Sequence, residues 1–222
     1  AMGGVDFTGP GWGNRQAGGV VVYQRTGGGW SLMGQGLIGG ENIPDFGRHI
    51  SMNEAGDMIA VTAWGGSFSF QKPANAIVFK YNATNDTWEQ FGQTLQGAIQ
   101  NSNNDTIPGG LISVGDIESH QGTSMWPRFD PTAVSMSPTG LTVAVLGKGL
   151  TRVFDWDGVD TWVQRGADIT WAGNFSYVHM TSDTSTLVFS DGTADSMAPT
   201  SNNIHVSSVN NGAVRVFRYD AG

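Results

Sequence analysis

The sequence predicts an all-β fold of the β-propeller type, assembled from four-stranded antiparallel blades. Three observations lead there. Gly supplies 33 of 222 residues, roughly double ordinary usage, and strong helix formers are few. One motif, apolar-x-Val-aromatic followed by a polar turn and Trp-x3-Gly-x2-Leu/Ile, recurs along the chain. A second motif, built around Met, lies between its copies. Four short strands per repeat, marked by aromatic residues and Gly, form the pattern of a propeller blade. A lone blade cannot bury both faces, so blades stack around an axis.

The first motif opens as Val20-Val21-Val22-Tyr23, followed by Trp30, Gly34 and Leu37. It returns as Ile77-Val78-Phe79 with Trp88, Gly92 and Leu95, and again as Arg152-Val153-Phe154 with Trp162, Gly166 and Ile169. The chain ends inside a fourth copy, Val214-Arg215-Val216-Phe217-Arg218-Tyr219. Alternation within each Val-x-Val run puts neighbouring side chains on opposite faces. Trp30, Trp88 and Trp162 are therefore expected to pack between blades. Gly34, Gly92 and Gly166 are expected at a bulge or a close approach of backbones.

The second motif aligns Ile50–Val61, Val134–Val145 and Val178–Phe189 without gaps. Each reads as two short strands around a polar turn, with Gly in two of the three turns. Met52, Met136 and Met180 stand seven residues before Ile59, Val143 and Leu187, and are expected to fill the core. The units are expected at about 18–72, 73–151 and 152–213, with part-units at both ends of a single domain. With Val5–Thr8 as an earlier strand the total is roughly fourteen strands, or three and a half blades, against about four to eight in propellers. Three closures remain open: an imperfect four-bladed ring, a fragment of a longer propeller, or association of two chains that covers open blade edges.

Composition excludes several classes. There is no cysteine, hence no disulfide or thiolate metal site. Net charge is −8, with 11 basic and 19 acidic residues, which disfavours nucleic acid as a partner. No stretch approaches the ~20 apolar residues of a membrane-spanning helix. The first four residues show no signal peptide. The sequons at Asn82, Asn85, Asn104 and Asn174 fit secretion, although a chain rich in Asn, Ser and Thr also produces sequons by chance. An extracellular or cell-surface location is favoured, or a plastid or other organelle if a transit peptide is removed.

Residues 98–131 form an insertion relative to the other units. Long irregular loops in compact domains are often functional. Asp105, Asp116, Glu118, His120, Trp126 and Arg128 make this stretch the expected ligand or partner surface. The irregular stretch 190–212 is a weaker candidate. Asp155-Trp156-Asp157-Gly158-Val159-Asp160 resembles a calcium loop superficially. It places Gly fourth rather than sixth and aligns with hairpin turns elsewhere, so a hairpin is expected. The four histidines lack metal-ligand spacing, and no nucleophile elbow or phosphate loop is present. No metal and no cofactor are expected. Trp12, Trp64, Trp126, Trp156 and Trp171 lie off the repeat pattern and are candidates for exposure.

The units resemble the FG-GAP repeats of integrin-α-type propellers, in the form abundant in algal and microbial surface proteins. The marks are Phe46-Gly47 before Ile50-Ser51-Met52, the turns Asn53–Gly56 and Ser137–Gly140, the pairs Ala60-Val61 and Ala144-Val145, and Val-x-Val-Tyr/Phe before Trp-x3-Gly. The likeness is clearest over 18–72 and patchy to 219, and the Phe-Gly pair occurs once. The resemblance implies ligand binding or adhesion without catalysis. Some members bind calcium through several Asp residues in the turn between the first two strands. These turns lack that set, so the resemblance implies no calcium there. The first functional expectation is a non-catalytic binding or adhesion module that recognises a protein or glycan through its loops. The alternative is a structural protein that self-assembles through open blade edges into a shell, lattice or wall layer. A carbohydrate-active enzyme comes third.

Overall fold

The computed structural model describes residues 2–4, 18–39, 46–64, 74–96, 99–100, 106–107, 133–147, 150–170, 177–191 and 213–219. Among these residues the regular structure is strand throughout, with no helix. The first group of strands is a three-stranded sheet of β1 (Met2–Gly4), β2 (Gly19–Val21) and β5 (Leu37–Ile38), with a separate hairpin of β3 (Tyr23–Thr26) and β4 (Gly29–Leu32) that follows β2 after Val22; the two together are called sheet one. Its first strand therefore precedes the expected Val5–Thr8, which lies outside the described residues. Sheet two holds β6 (Ile50–Met52), β7 (Met58–Trp64), β8 (Ala74–Asn82), β9 (Thr87–Gln90) and β10 (Leu95–Gln96). A separate pair, β11 (Ile99–Gln100) and β12 (Thr106–Ile107), lies within the insertion. Sheet three holds β13 (Ala133–Met136), β14 (Thr142–Gly147), β15 (Leu150–Trp156), β16 (Trp162–Gln164) and β17 (Ile169–Thr170). Sheet four holds β18 (Tyr177–Met180), β19 (Thr186–Asp191) and β20 (Ala213–Arg218). All strand pairs are antiparallel, in the order β6-β7-β8 then β9 and β10 for sheet two, and β13-β14-β15 then β16 and β17 for sheet three.

The last strand of each of the first three sheets is broken at the same place. Leu32 faces Tyr23 and Leu37 faces Val20, so five residues on one strand span three on its partner. Gln90 and Leu95 repeat this against Phe79 and Ala76, and Gln164 and Ile169 against Phe154 and Thr151. The bulge needs a left-handed residue. Gly34, Gly92 and Gly166 fill it at φ +69°, +76° and +68°, which a residue without Cβ adopts cheaply.

The Met-motif turns are also one structure made three times. The Asn53, Ser137 and Thr181 side-chain oxygens accept the backbone N–H of Met58, Thr142 and Thr186 at 3.0, 3.1 and 3.1 Å. The left-handed turn position is Gly56, Gly140 and Thr184; the last is a β-branched residue at φ +59°.

The core lies between sheets, in three layers that follow chain order. Val20, Val22 and Leu37 of sheet one pack on Ile59, Val61, Ile77 and Trp88 of sheet two. Met58, Ala60, Val78 and Leu95 on the other side of sheet two pack on Val134, Met136, Val143, Phe154 and Trp162 of sheet three. Ala133, Ala144, Leu146 and Val153 pack on Val178, Met180, Leu187 and Phe189 of sheet four. Each fully buried Val or Leu contributes about 1.5–3 kcal/mol. Both faces of the two middle sheets are apolar, which accounts for the low charge of the chain. The stack also curves: the rings of His49, just before β6, and Tyr177, at the start of β18, stand edge-to-face with centroids 6.0 Å apart.

Candidate functional site

The repeat residues converge on the joints between sheets. Trp88 is 3% exposed. Its indole Nε1–H donates to the Met33 carbonyl at 2.8 Å, and its backbone N–H donates to Gln35 Oε1 at 2.8 Å. Gln35 Nε2 donates to the Trp88 carbonyl at 2.9 Å. The next joint repeats all three bonds: Trp162 Nε1 to the Phe91 carbonyl at 2.9 Å, Trp162 N to Gln93 Oε1 at 2.8 Å, and Gln93 Nε2 to the Trp162 carbonyl at 2.7 Å. At the first strands of sheets two, three and four, Ser51 Oγ accepts the Met136 N–H at 2.9 Å and Ser135 Oγ accepts the Met180 N–H at 3.0 Å. Each such bond contributes about 0.5–1.5 kcal/mol net, and an orphaned partner costs more. Gly34 N also donates to Asp86 Oδ1 at 3.0 Å, as does the Tyr81 hydroxyl at 2.6 Å. That acceptor raises the Tyr81 pKa above 10.0.

The third joint is made differently. Ala167 stands where the others carry Gln. Arg165, next to Gly166, instead donates to the Thr184 carbonyl and hydroxyl at 3.0 and 3.1 Å. It also pairs with Asp155 at 2.6 Å and lies over the Tyr219 ring.

A second ion pair sits on the face of β15 turned to sheet two. Arg152, 7% exposed, donates through Nε and Nη2 to the two Asp168 oxygens at 2.9 and 3.0 Å. The Arg152 bonds, helped by Gln164 and by the Arg152 charge, hold the Asp168 pKa below 3.8 against partial burial. A depressed carboxyl contributes stability that is present above its unfolded pKa and is lost as pH falls through the folded value. Asp168→Asn is therefore expected to lower the melting temperature at neutral pH. It should also flatten the decline on acidification to about pH 3; a variant curve parallel to wild type would refute the assignment.

The repeat-core residues divide. Trp88, Trp162, Met136 and Met180 are buried, and Met52 is half-buried against the first layer. Trp30 departs from expectation. It is 73% exposed, because sheet one has no preceding sheet among the described residues to receive it. Trp156, expected off-pattern, packs on Phe91 with centroids 4.1 Å apart. Its segment is the expected hairpin. Asp157 Oδ1 accepts the N–H groups of Val159, Asp160 and Thr161, which lower its pKa below 3.8.

The ligand candidates Asp105, Asp116, Glu118, His120, Trp126 and Arg128 lie outside the described residues, as do Trp12 and Trp171. Among the described residues no three His, Asp or Glu side chains gather as a metal site. No helix there is long and apolar enough to cross a membrane. The sequence reading missed Gln35, Gln93, Ser51 and Ser135. The available signal was Gln directly after the bulge Gly in two copies, and Ser directly before Met in two copies.

Among the described residues, two sheet faces lack a partner sheet. On the outer face of sheet one, Tyr23, Trp30 and Leu32 are exposed. On the outer face of sheet four, Tyr177, Val214 and Val216 are 61%, 55% and 46% exposed. By register Val216 faces Val188 as Val153 faces Ala144 and Val78 faces Ala60, and Val78 and Val153 are buried.

No protein-family model matches the chain, and no curated protein matches it. One similar solved structure is a complex of KlAtg21 with the coiled-coil of AgAtg16, at 13% identity and a TM-score of 0.38; the match covers 65% of this chain and 37% of that one. Another is a Bacteroides uniformis protein provisionally assigned as a 6-phosphogluconolactonase, at 9% identity and a TM-score of 0.30, covering 94% of this chain and 76% of that one. This chain thus spans little more than a third of the first. These likenesses are too slight to carry function.

Proposed function

We propose that the protein is a non-catalytic structural module of the β-propeller type, with FG-GAP-like units, that associates into a shell, lattice or wall layer through the open faces of its end blades. One observation carries this reading. Both end faces expose large apolar side chains at positions that are buried between sheets elsewhere in the same chain. Clustered exposed apolar residues mark interaction surfaces. Electron microscopy and light scattering over a range of concentrations test it. Ordered sheets, tubes or filaments are expected, and a protein that stays monomeric throughout, or forms only discrete rings at all concentrations, would end this reading.

A second reading is adhesion, with residues 98–131 holding a protein or glycan ligand. It is favoured by the stems of the insertion. Leu95 and Ala133 flank it and are 1% and 4% exposed, so it leaves and rejoins rigid sheets. Capture on a glycan array that survives Trp30→Ala but is lost in Trp126→Ala would favour this reading over the first.

A further inference from the structure

We infer that one copy of this chain joins the next head to tail, the outer face of sheet one in one molecule covering the outer face of sheet four in another. This rests on the self-association reading above and adds the partner, the direction and the residues.

The two end faces are equivalent to the faces that meet at the internal joints. Every internal joint has the same polarity: the face of one sheet that carries Val78 or Val153 receives the face of the following sheet that carries Phe154 and Trp162, or Phe217. Sheet one exposes a receivable face. Tyr23, Arg25, Trp30 and Leu32 share it, since Tyr23 faces Leu32 and Arg25 faces Trp30 across β3 and β4. Trp30 corresponds to Trp88 and Trp162, the residues that enter the neighbouring sheet at the other joints. Sheet four exposes the receiving face. Val214 and Val216 correspond to Ala76 and Val78, which are 0% exposed beneath sheet three. His179 stands where Ser51 and Ser135 accept a backbone N–H from the following sheet.

The two faces are thus different from each other and suited to each other. Two copies of one face alone would bring Trp30 against Trp30, a contact used at no internal joint. A contact between unlike patches is heterologous and repeats from copy to copy. The occupant that fits both faces is another sheet of this same repeat, which a second copy supplies.

The test separates the two faces. Trp30→Glu and Val216→Glu each place a carboxylate in one face, at an exposed position where folding is spared; melting temperatures that match wild type at a dilution where wild type is monomeric check this. Each variant alone is expected to associate about a hundredfold more weakly than wild type, as for a truncated interface anchor. An equimolar mixture of the two retains one intact pair of faces, so sedimentation should show species of two copies and no larger. Association of Val216→Glu alone at wild-type strength would overturn head-to-tail joining, because it indicates a contact between like faces. A mixture that stays monomeric, or association indifferent to both substitutions, would overturn it too while leaving self-association standing. Monomeric wild type would remove both proposals. A monomer whose Trp30 is shielded from acrylamide quenching would show that the two faces close within one chain, which also overturns it.

Discussion

Trp162→Ala is expected to cost about 3–5 kcal/mol, the usual loss for a buried Trp or Phe truncated in a core. In a chain of this length that lowers the melting temperature by roughly 6–20 °C, at about 2–4 °C per kcal/mol. The side chain is 3% exposed and packs edge-to-face against Phe91 and Trp156. Its removal opens a void in the layer between sheets two and three and orphans the Phe91 carbonyl that its indole satisfies at 2.9 Å. Trp162→Phe separates the two effects. It keeps most of the packing and loses the donor, for a cost of about 1–3 kcal/mol. Trp30→Ala is the internal control. The same motif residue, at 73% exposure in the single chain, should change the melting temperature by less than about 2 °C at a concentration where the protein is monomeric. Equal losses for Trp30 and Trp162 in a thermal melt would mean that sheet one is covered.

Gly92→Ala should be nearly as damaging. At φ +76° an L-residue is strained by about 1–2 kcal/mol. A Cβ there would also lie 2.7 Å from Trp156 Cζ3 and 2.7 Å from Trp162 Cδ1. Two rings locked in a packed layer cannot yield, and overpacking adds about 1–3 kcal/mol. Gly158→Ala isolates the strain. Its φ is +88° and nothing stands within 4 Å of a Cβ. Chemical denaturation should place the Gly92 variant at least about 1 kcal/mol below the Gly158 variant. Coincident midpoints would show that the ring contact carries no weight.

These two residues also mark how far the sequence could be read. Trp-x3-Gly was legible because the bulge fixes a local spacing: five residues against three always put Trp and Gly at the same separation. The partners of that Trp were not. Gln35 grips Trp88 across 53 residues of chain, and no local period encodes which Gln meets which Trp. Trp30 was misjudged for a related reason. The motif states that a Trp faces the preceding sheet, while its burial depends on that sheet being there. Thr184 was placed in the right turn by alignment with Gly56 and Gly140, yet its left-handed backbone is invisible in a β-branched residue. All-β character came from repetition. The bonds between sheets came from three-dimensional neighbours that repetition only aligned.

The direction of the joints bears on how the molecule forms. In both Trp joints the groups that grip the Trp come first in the chain: Met33 and Gln35 precede Trp88, and Phe91 and Gln93 precede Trp162. The serine bonds run the same way, from Met136 back to Ser51 and from Met180 back to Ser135. A chain emerging from the ribosome therefore presents each dock before the sheet that will use it has been synthesised. Growth can proceed by adding one sheet at a time to a finished edge, and no joint has to wait for residues beyond the sheet being laid down.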